Sequence, residues 1–193
     1  MSAALLSESQ RDALQEIVNI SMGQAADSLA RLIQTHVQLS IPQIKQTSSY
    51  NFFSLLCAQQ KVYLAQQSFW GELNGELISL IGQSGCDGIA VLMHYDLPLH
   101  QADIQELVLE LTNILAGACL QGLTGQLGFK THLAAPTLLA VDMLPTNPQN
   151  WNQALLIEVS FVIADSGFHS NVMICLKQES TKPLIEHLDQ LLQ

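Results

Sequence analysis

Two short stretches place a carboxylate and a carboxamide three residues apart. "DALQEIVNI", residues 12–20, carries Asp12, Glu16 and Asn19, and "ELVLELTNI", residues 106–114, carries Glu106, Glu110 and Asn113. A carboxamide is neither a useful nucleophile nor a base, but it donates and accepts hydrogen bonds at once. It can therefore hold a water in line for attack, as a glutamine does in some phosphate-hydrolysing enzymes. A carboxylate one turn away can pair with a cation on whatever docks there. Neither stretch brings a metal, a nucleophile or a phosphate cradle of its own. Such a site works only on a substrate that supplies the metal and the electrophile.

The elements that carry these residues read as long helices. Residues 8–36 repeat apolar side chains at helical spacing, Leu14, Val18, Met22, Ala25, Leu29 and Leu32, with Ser7 or Ser9 as N-cap. At 100° per residue those six form one stripe, while Asp12, Glu16 and Asn19 fall on another side. The polar trio is expected to face solvent or a partner. Residues 101–128 form a second such helix. Each helix is followed by a strand-like segment ending in proline, "VQLSIP" to Pro42 and "FKTHLAAP" to Pro136. Hairpins are expected from "KVYLAQQSF" with "GELNGELISLIG", and from "ALLIEVSFVIAD" with "SNVMICLKQ". Short helices are expected over residues 48–60, over 85–96, and at the C-terminal "TKPLIEHLDQLLQ".

The order of elements recurs, which predicts one domain, 1–193, made of two repeats, about 8–96 and 102–193, with "LPLH" at 97–100 between them. Asp12, Glu16, Asn19, Gly23 and Pro42 correspond to Glu106, Glu110, Asn113, Gly117 and Pro136, all at an offset of 94. A solvated helix face explains either trio alone. The paired spacing is harder to dismiss. At roughly 5% per residue type, a Glu/Asn/Pro match has about a one in ten thousand chance per start position. For the glycines and prolines, helix packing or chain exit is explanation enough. Lysines, histidines and cysteines do not repeat.

Composition narrows the function classes. Seven Lys+Arg stand against 17 Asp+Glu, for a formal charge of −10, so the surface repels nucleic acid and anionic membranes. With 48% apolar residues the chain has the makings of a packed core. The opening "MSAALLSESQRD" lacks the basic and apolar parts of a secretory leader, and a cytoplasmic location is expected. Cys57, Cys86, Cys119 and Cys175 show no paired or metal-type spacing and read as buried thiols. His36, His94, His100, His132, His169 and His187 show no ligand spacing. Trp70 and Trp151 read as packing residues, "GQSGCDG" as a turn without the Lys and Ser/Thr of a phosphate loop, and the leucines of the last helix as core.

The paired motif resembles that of the CheC/CheX/FliY phosphatases of bacterial chemotaxis: Asp or Ser, three residues, Glu, two residues, Asn, twenty-two residues, Pro. Residues 12–42 match at Asp12, Glu16, Asn19 and Pro42; residues 106–136 match at Glu110, Asn113 and Pro136, with Glu106 where the family has Asp or Ser. The resemblance implies an α+β fold. Two pseudo-symmetric halves would form one continuous, mostly antiparallel sheet with the two motif helices packed on it. It implies hydrolysis of the aspartyl phosphate of a CheY-type response regulator. Asn19 and Asn113 would orient the water, Glu16 and Glu110 would pair with a regulator lysine, and Asp12, Glu106, Pro42 and Pro136 would support the motifs. No metal site or cofactor of its own is expected, since the partner brings the magnesium. Two motifs in one chain are closer to CheC than to CheX, and without a FliY-like extension a flagellar switch subunit is the lesser reading. A CheD-like regulatory protein is a second candidate partner. The competing reading is a non-catalytic adaptor or sink that binds receiver domains.

Overall fold

A computed structural model of the chain describes residues 6–46, 61–140 and 155–193. Helix α1 spans Glu8–Ile33. Ser7 caps it: its hydroxyl accepts from the Gln10 backbone N–H at 3.3 Å, and the Gln10 side chain accepts from the Ser7 N–H at 2.8 Å. This reciprocal box satisfies two of the N–H groups a helix start leaves open. The predicted stripe is buried from Leu14 to Leu29, all five side chains at 0% exposure. Leu32 departs from it at 44% exposure, and Ile33, turned a further 100° around the axis, takes the buried place in the last turn.

Strands β1, Gln38–Leu39, and β2, Gln43–Gln46, follow α1. One strand up to Pro42 was expected, whereas the structure breaks it around the proline, which has no N–H for the ladder. A hairpin comes next, β3 Val62–Gly71 with β4 Gly75–Gly82, then the short helix α2, Cys86–Leu92. Helix α3, Gln101–Leu127, begins with the His100 N–H bonded to Asp103 Oδ2 at 2.8 Å and stops at Gly128, φ 67°. Strands β5, Thr131–Leu133, and β6, Thr137–Leu139, flank Pro136 as β1 and β2 flank Pro42. The second hairpin is β7, Leu155–Ile163, with β8, Phe168–Leu176. Helix α4, Gln178–Leu191, starts three residues before the expected segment, so Pro183 lies inside it. Leu184 and Leu188 of α4 are core, as expected, while Leu191 is exposed. The helix read over 48–60, with Cys57, and Trp151 lie outside the described residues.

The strands form one antiparallel sheet in the order β1–β7–β8–β4–β3–β5, with β2 also on β7 and β6 also on β3. The halves therefore exchange strands: the pair after α1 lies on the second hairpin, and the pair after α3 on the first. Leu39 sits opposite Phe161, and Leu133 opposite Phe69. The Ser40 N–H donates to Ser160 O, and the Ala134 N–H donates to Ser68 O. These matched contacts make the two ends of the sheet equivalent.

Alternation along the strands gives the sheet two apolar faces. Phe69, Leu77, Phe161 and Val172 share one core with α1 and α3, whereas Leu64, Ile78, Leu80, Leu156, Met173 and Cys175 cluster on the other face. Helices α1 and α3 also pack on each other. A Cβ on Gly122 of α3 would meet the Ser21 Cα of α1 at 2.8 Å, so only glycine permits this approach. By length and composition α3 could cross a bilayer, but Leu107, Val108, Leu111 and Leu115 are all at 0% exposure. It is a core helix. Cys86, Cys119 and Cys175 are free, buried thiols, and burial followed by the nearby Asp87 carboxylate pushes Cys86 up to about 11.

Candidate functional site

The first motif lies on the outer side of α1. Asp12, Glu16 and Asn19 are exposed, because Leu14, Ile17 and Val18 between them take the buried side. Glu16 and Asn19 lie about 4.5 Å apart along the helix axis, one turn, which lets both reach one ligand. Among the described residues neither side chain has a hydrogen-bond or ion-pair partner. Pro42 is buried, and its carbonyl accepts from Gln15 Nε2 at 2.7 Å. That bond joins the strand segment to the motif helix one residue from Glu16. Pro42 thus sets where the chain leaves the site rather than entering its chemistry.

The second motif has the same residues in different company. Glu106, Glu110 and Asn113 are exposed on α3. Here Tyr95 donates its phenolic O–H to Glu110 Oε2 at 2.9 Å. Burial, first, and then that bond and the carboxylates of Glu110, Glu106 and Asp103 raise the Tyr95 pKa, so the phenol stays protonated. Asn113 Oδ1 accepts from Gln67 Nε2 at 3.0 Å, and the same nitrogen donates to Ala134 O at 2.6 Å. Gln67 comes from β3, is 1% exposed, and leaves its own Oε1 buried without a partner. A groove of about 440 Å³ runs past Tyr95, His94, His100, Asp103 and Glu106. Glu106 therefore faces a cleft, whereas Asp12 faces open solvent.

Gly23 and Gly117, each four residues after a motif asparagine, correct one expectation. A Cβ on Gly23 would meet nothing within 4 Å, and one on Gly117 only Leu133 Cδ2 at 4.0 Å. Helix packing thus does not require either glycine. Sequence reasoning also passed over Gln67 and Tyr95, which repeat nowhere and carry no motif. Only the missing counterpart in the other half, visible once the strands are paired, marks them. Among the described residues no group of three His, Cys, Asp or Glu side chains is placed to hold a metal ion.

The fold is that of the CheC/CheX/FliY proteins. FliY from Thermotoga maritima superposes with a TM-score of 0.68 at 18% identity, covering 97% of this chain and 99% of that one. The CheX of the CheX–CheY–BeF3–Mg complex from Borrelia burgdorferi gives 0.59 at 16% identity, over 85% and 99% of the chains. The FliM middle domain from H. pylori gives 0.62 at 10% identity, over 94% and 99%. Residues 10–45, which hold the first motif from Asp12 to Pro42, match the model of the CheC-like family. The family match covers residues 10–45 of 193, and the superpositions, all at 18% identity or below, show the fold. The fold alone does not give the activity.

Proposed function

We propose that this protein hydrolyses the aspartyl phosphate of a CheY-type receiver domain. The observation that carries the reading is the Glu16/Asn19 pair, exposed on one face of α1, without a partner among the described residues, and inside the stretch that matches the CheC-like family. Glu16 would pair with a lysine of the receiver and set the register of docking. The Asn19 side-chain oxygen would accept a hydrogen bond from the attacking water and aim its lone pair at phosphorus, the amide itself neither gaining nor losing a proton. The P–O bond to the receiver aspartate breaks, the aspartate leaves as carboxylate, and the water's proton leaves with the inorganic phosphate or to solvent. Glu110 and Asn113 form the second copy of the pair. The magnesium that neutralises the phosphoryl oxygens is assigned to the receiver. That a CheX of the same fold has been crystallised with CheY, BeF3 and Mg supports a receiver as the class of partner.

Positioning one water in this way contributes a few kcal/mol, about 10²–10³ in rate. The test is the decay of a phosphorylated CheY-type receiver in magnesium, with the wild-type protein and with the Asn19→Ala/Asn113→Ala double variant. Accelerated decay that the double variant loses is the expected result. Binding without acceleration would replace the phosphatase by an adaptor. A CheD-like regulator is a further proposed partner, and its test is direct binding.

A further inference from the structure

We infer that the two motif copies are unequal: the first is the working site, and the second is held by its own chain, Gln67 on Asn113 and Tyr95 on Glu110. This rests on the phosphatase reading and names which of its sites works.

The Ala134 carbonyl can only accept a hydrogen bond, so the Gln67 atom 2.6 Å from it must be the nitrogen. The same nitrogen faces the Asn113 side chain at 3.0 Å, and a nitrogen must meet an oxygen there. Asn113 therefore turns its Oδ1 inward and its NH2 outward. Alignment of an attacking water needs the opposite, an amide oxygen turned outward where it can accept a hydrogen bond from that water. Gln67 cannot easily swing away, being 1% exposed on a central strand with one polar atom already unpartnered. On the neighbouring helical turn, Glu110 is already bonded to Tyr95, which lowers its availability for an incoming lysine.

Among the described residues the first half has no such arrangement. Because Ser160 stands to Ser40 as Ser68 stands to Ala134, Val159 occupies the place of Gln67. Valine has no hydrogen-bonding group on its side chain, and Val159 is 1% exposed in the core. Among the described residues nothing donates to Glu16 or to Asn19. Within the described residues no bond fixes which end of its amide faces outward, and it can present its oxygen.

The experiment follows the decay of a phosphorylated receiver with Asn19→Ala, Asn113→Ala, the double variant, and Asn19→Ala combined with Gln67→Val or Tyr95→Phe. Asn19→Ala is expected to remove nearly all of the 10²–10³-fold acceleration that the double variant removes, and Asn113→Ala about twofold at most. Adding Gln67→Val to Asn19→Ala is expected to restore about tenfold through Asn113. Gln67 is thus a positioning residue, and rescue is a readout that a purely structural role would not give. Equal losses from the two single variants, or a larger loss from Asn113→Ala, overturn the inference and leave the phosphatase reading intact. Full activity in the double variant overturns the water-positioning role of both asparagines, and with it the inference; no acceleration by the wild-type protein overturns the phosphatase reading instead. NMR relaxation of the side-chain amide nitrogens tests the hold without any partner. Asn113 is expected to be as rigid as the backbone and to be released by Gln67→Val, with Asn19 mobile throughout; equal mobility of the two in the wild type overturns the inference.

Discussion

Among the described residues Glu16 and Asn19 have no partner, whereas Glu110 and Asn113 are each bonded to a side chain from outside their own helix. The two pairs share spacing, helix type and the proline that follows, and they sit at equivalent ends of one sheet. Among the described residues what holds the second pair is a strand position, Gln67 where the first half has Val159, and the tyrosine before α3. Two copies of one motif can thus share residue types while their neighbours decide what those residues are free to do. An exposed polar side chain with no internal partner is available to a ligand; the same side chain already bonded must first lose that bond, at about 1 kcal/mol or more.

The comparison breaks most visibly at the asparagines. Asn19→Ala is expected to slow receiver dephosphorylation by about 10²–10³, some 3–4 kcal/mol in transition-state stabilisation. The fall should lie in kcat, because the amide acts on the water rather than on the docked surface. A rise in KM with kcat unchanged would show Asn19 to be a docking residue.

Charge reversal of the glutamates comes next. Glu16→Lys replaces a proposed partner of a lysine with a like charge, and charge-assisted pairs of this kind are worth about 1.5–3 kcal/mol. Binding of a receiver is expected to weaken by about 10–100-fold, measured by titration calorimetry, with a much smaller change for Glu110→Lys. Equal weakening by both would mean that Tyr95 does not restrain the second copy.

The glycines sharpen the same contrast through two readouts of opposite sign. Glycine inside a helix costs about 1 kcal/mol relative to alanine, and a Cβ on Gly23 has open space, so Gly23→Ala is expected to stabilise the fold by about 1 kcal/mol. The bulkier Gly23→Leu should keep part of that gain and lower activity about tenfold, because position 23 lies one turn from Asn19 on the approach of the partner. Thermal unfolding and receiver decay on the same samples check both. Unchanged activity in Gly23→Leu would mean that the receiver approaches from elsewhere.

Much of this was legible in the sequence, and the exceptions have physical reasons. The spacing of Leu14, Val18 and Met22 placed the motif on the outer side of α1, since helical periodicity alone fixes which residues share a side. The motif pairs were visible because both copies keep one spacing, at an offset of 94. The strand exchange was not: alternation in "VQLSIP" says that a strand forms, but not that its ladder partner lies in the other hairpin, more than 100 residues away. Gln67 was missed for the same reason. It reads as one polar residue in a strand until the pairing brings Ala134 and Asn113 beside it. The break of the strand at Pro42 and the early start of α4 at Gln178 are boundary effects, set by ladder bonds and packing that local spacing does not encode.

The smallest effect concerns the tyrosine that separates the two sites. Tyr95→Phe removes the bond to Glu110 and keeps the ring in the groove wall, at an expected cost of about 0.5 kcal/mol, the low end for a bond near the surface. Its pH dependence carries the sign of the shift. Burial and the Glu110 bond hold the folded pKa above that of the unfolded chain, about 10. The stabilisation by this phenol is therefore fully present below about pH 10 and is lost as the pH rises through the raised folded value. Denaturant unfolding of wild type and Tyr95→Phe should differ by a constant amount from neutral pH to about pH 9, and the difference should shrink above pH 10. A difference that grows on the alkaline side would mean that the phenolate is the favoured folded form, and the bond to Glu110 would then not hold the second site.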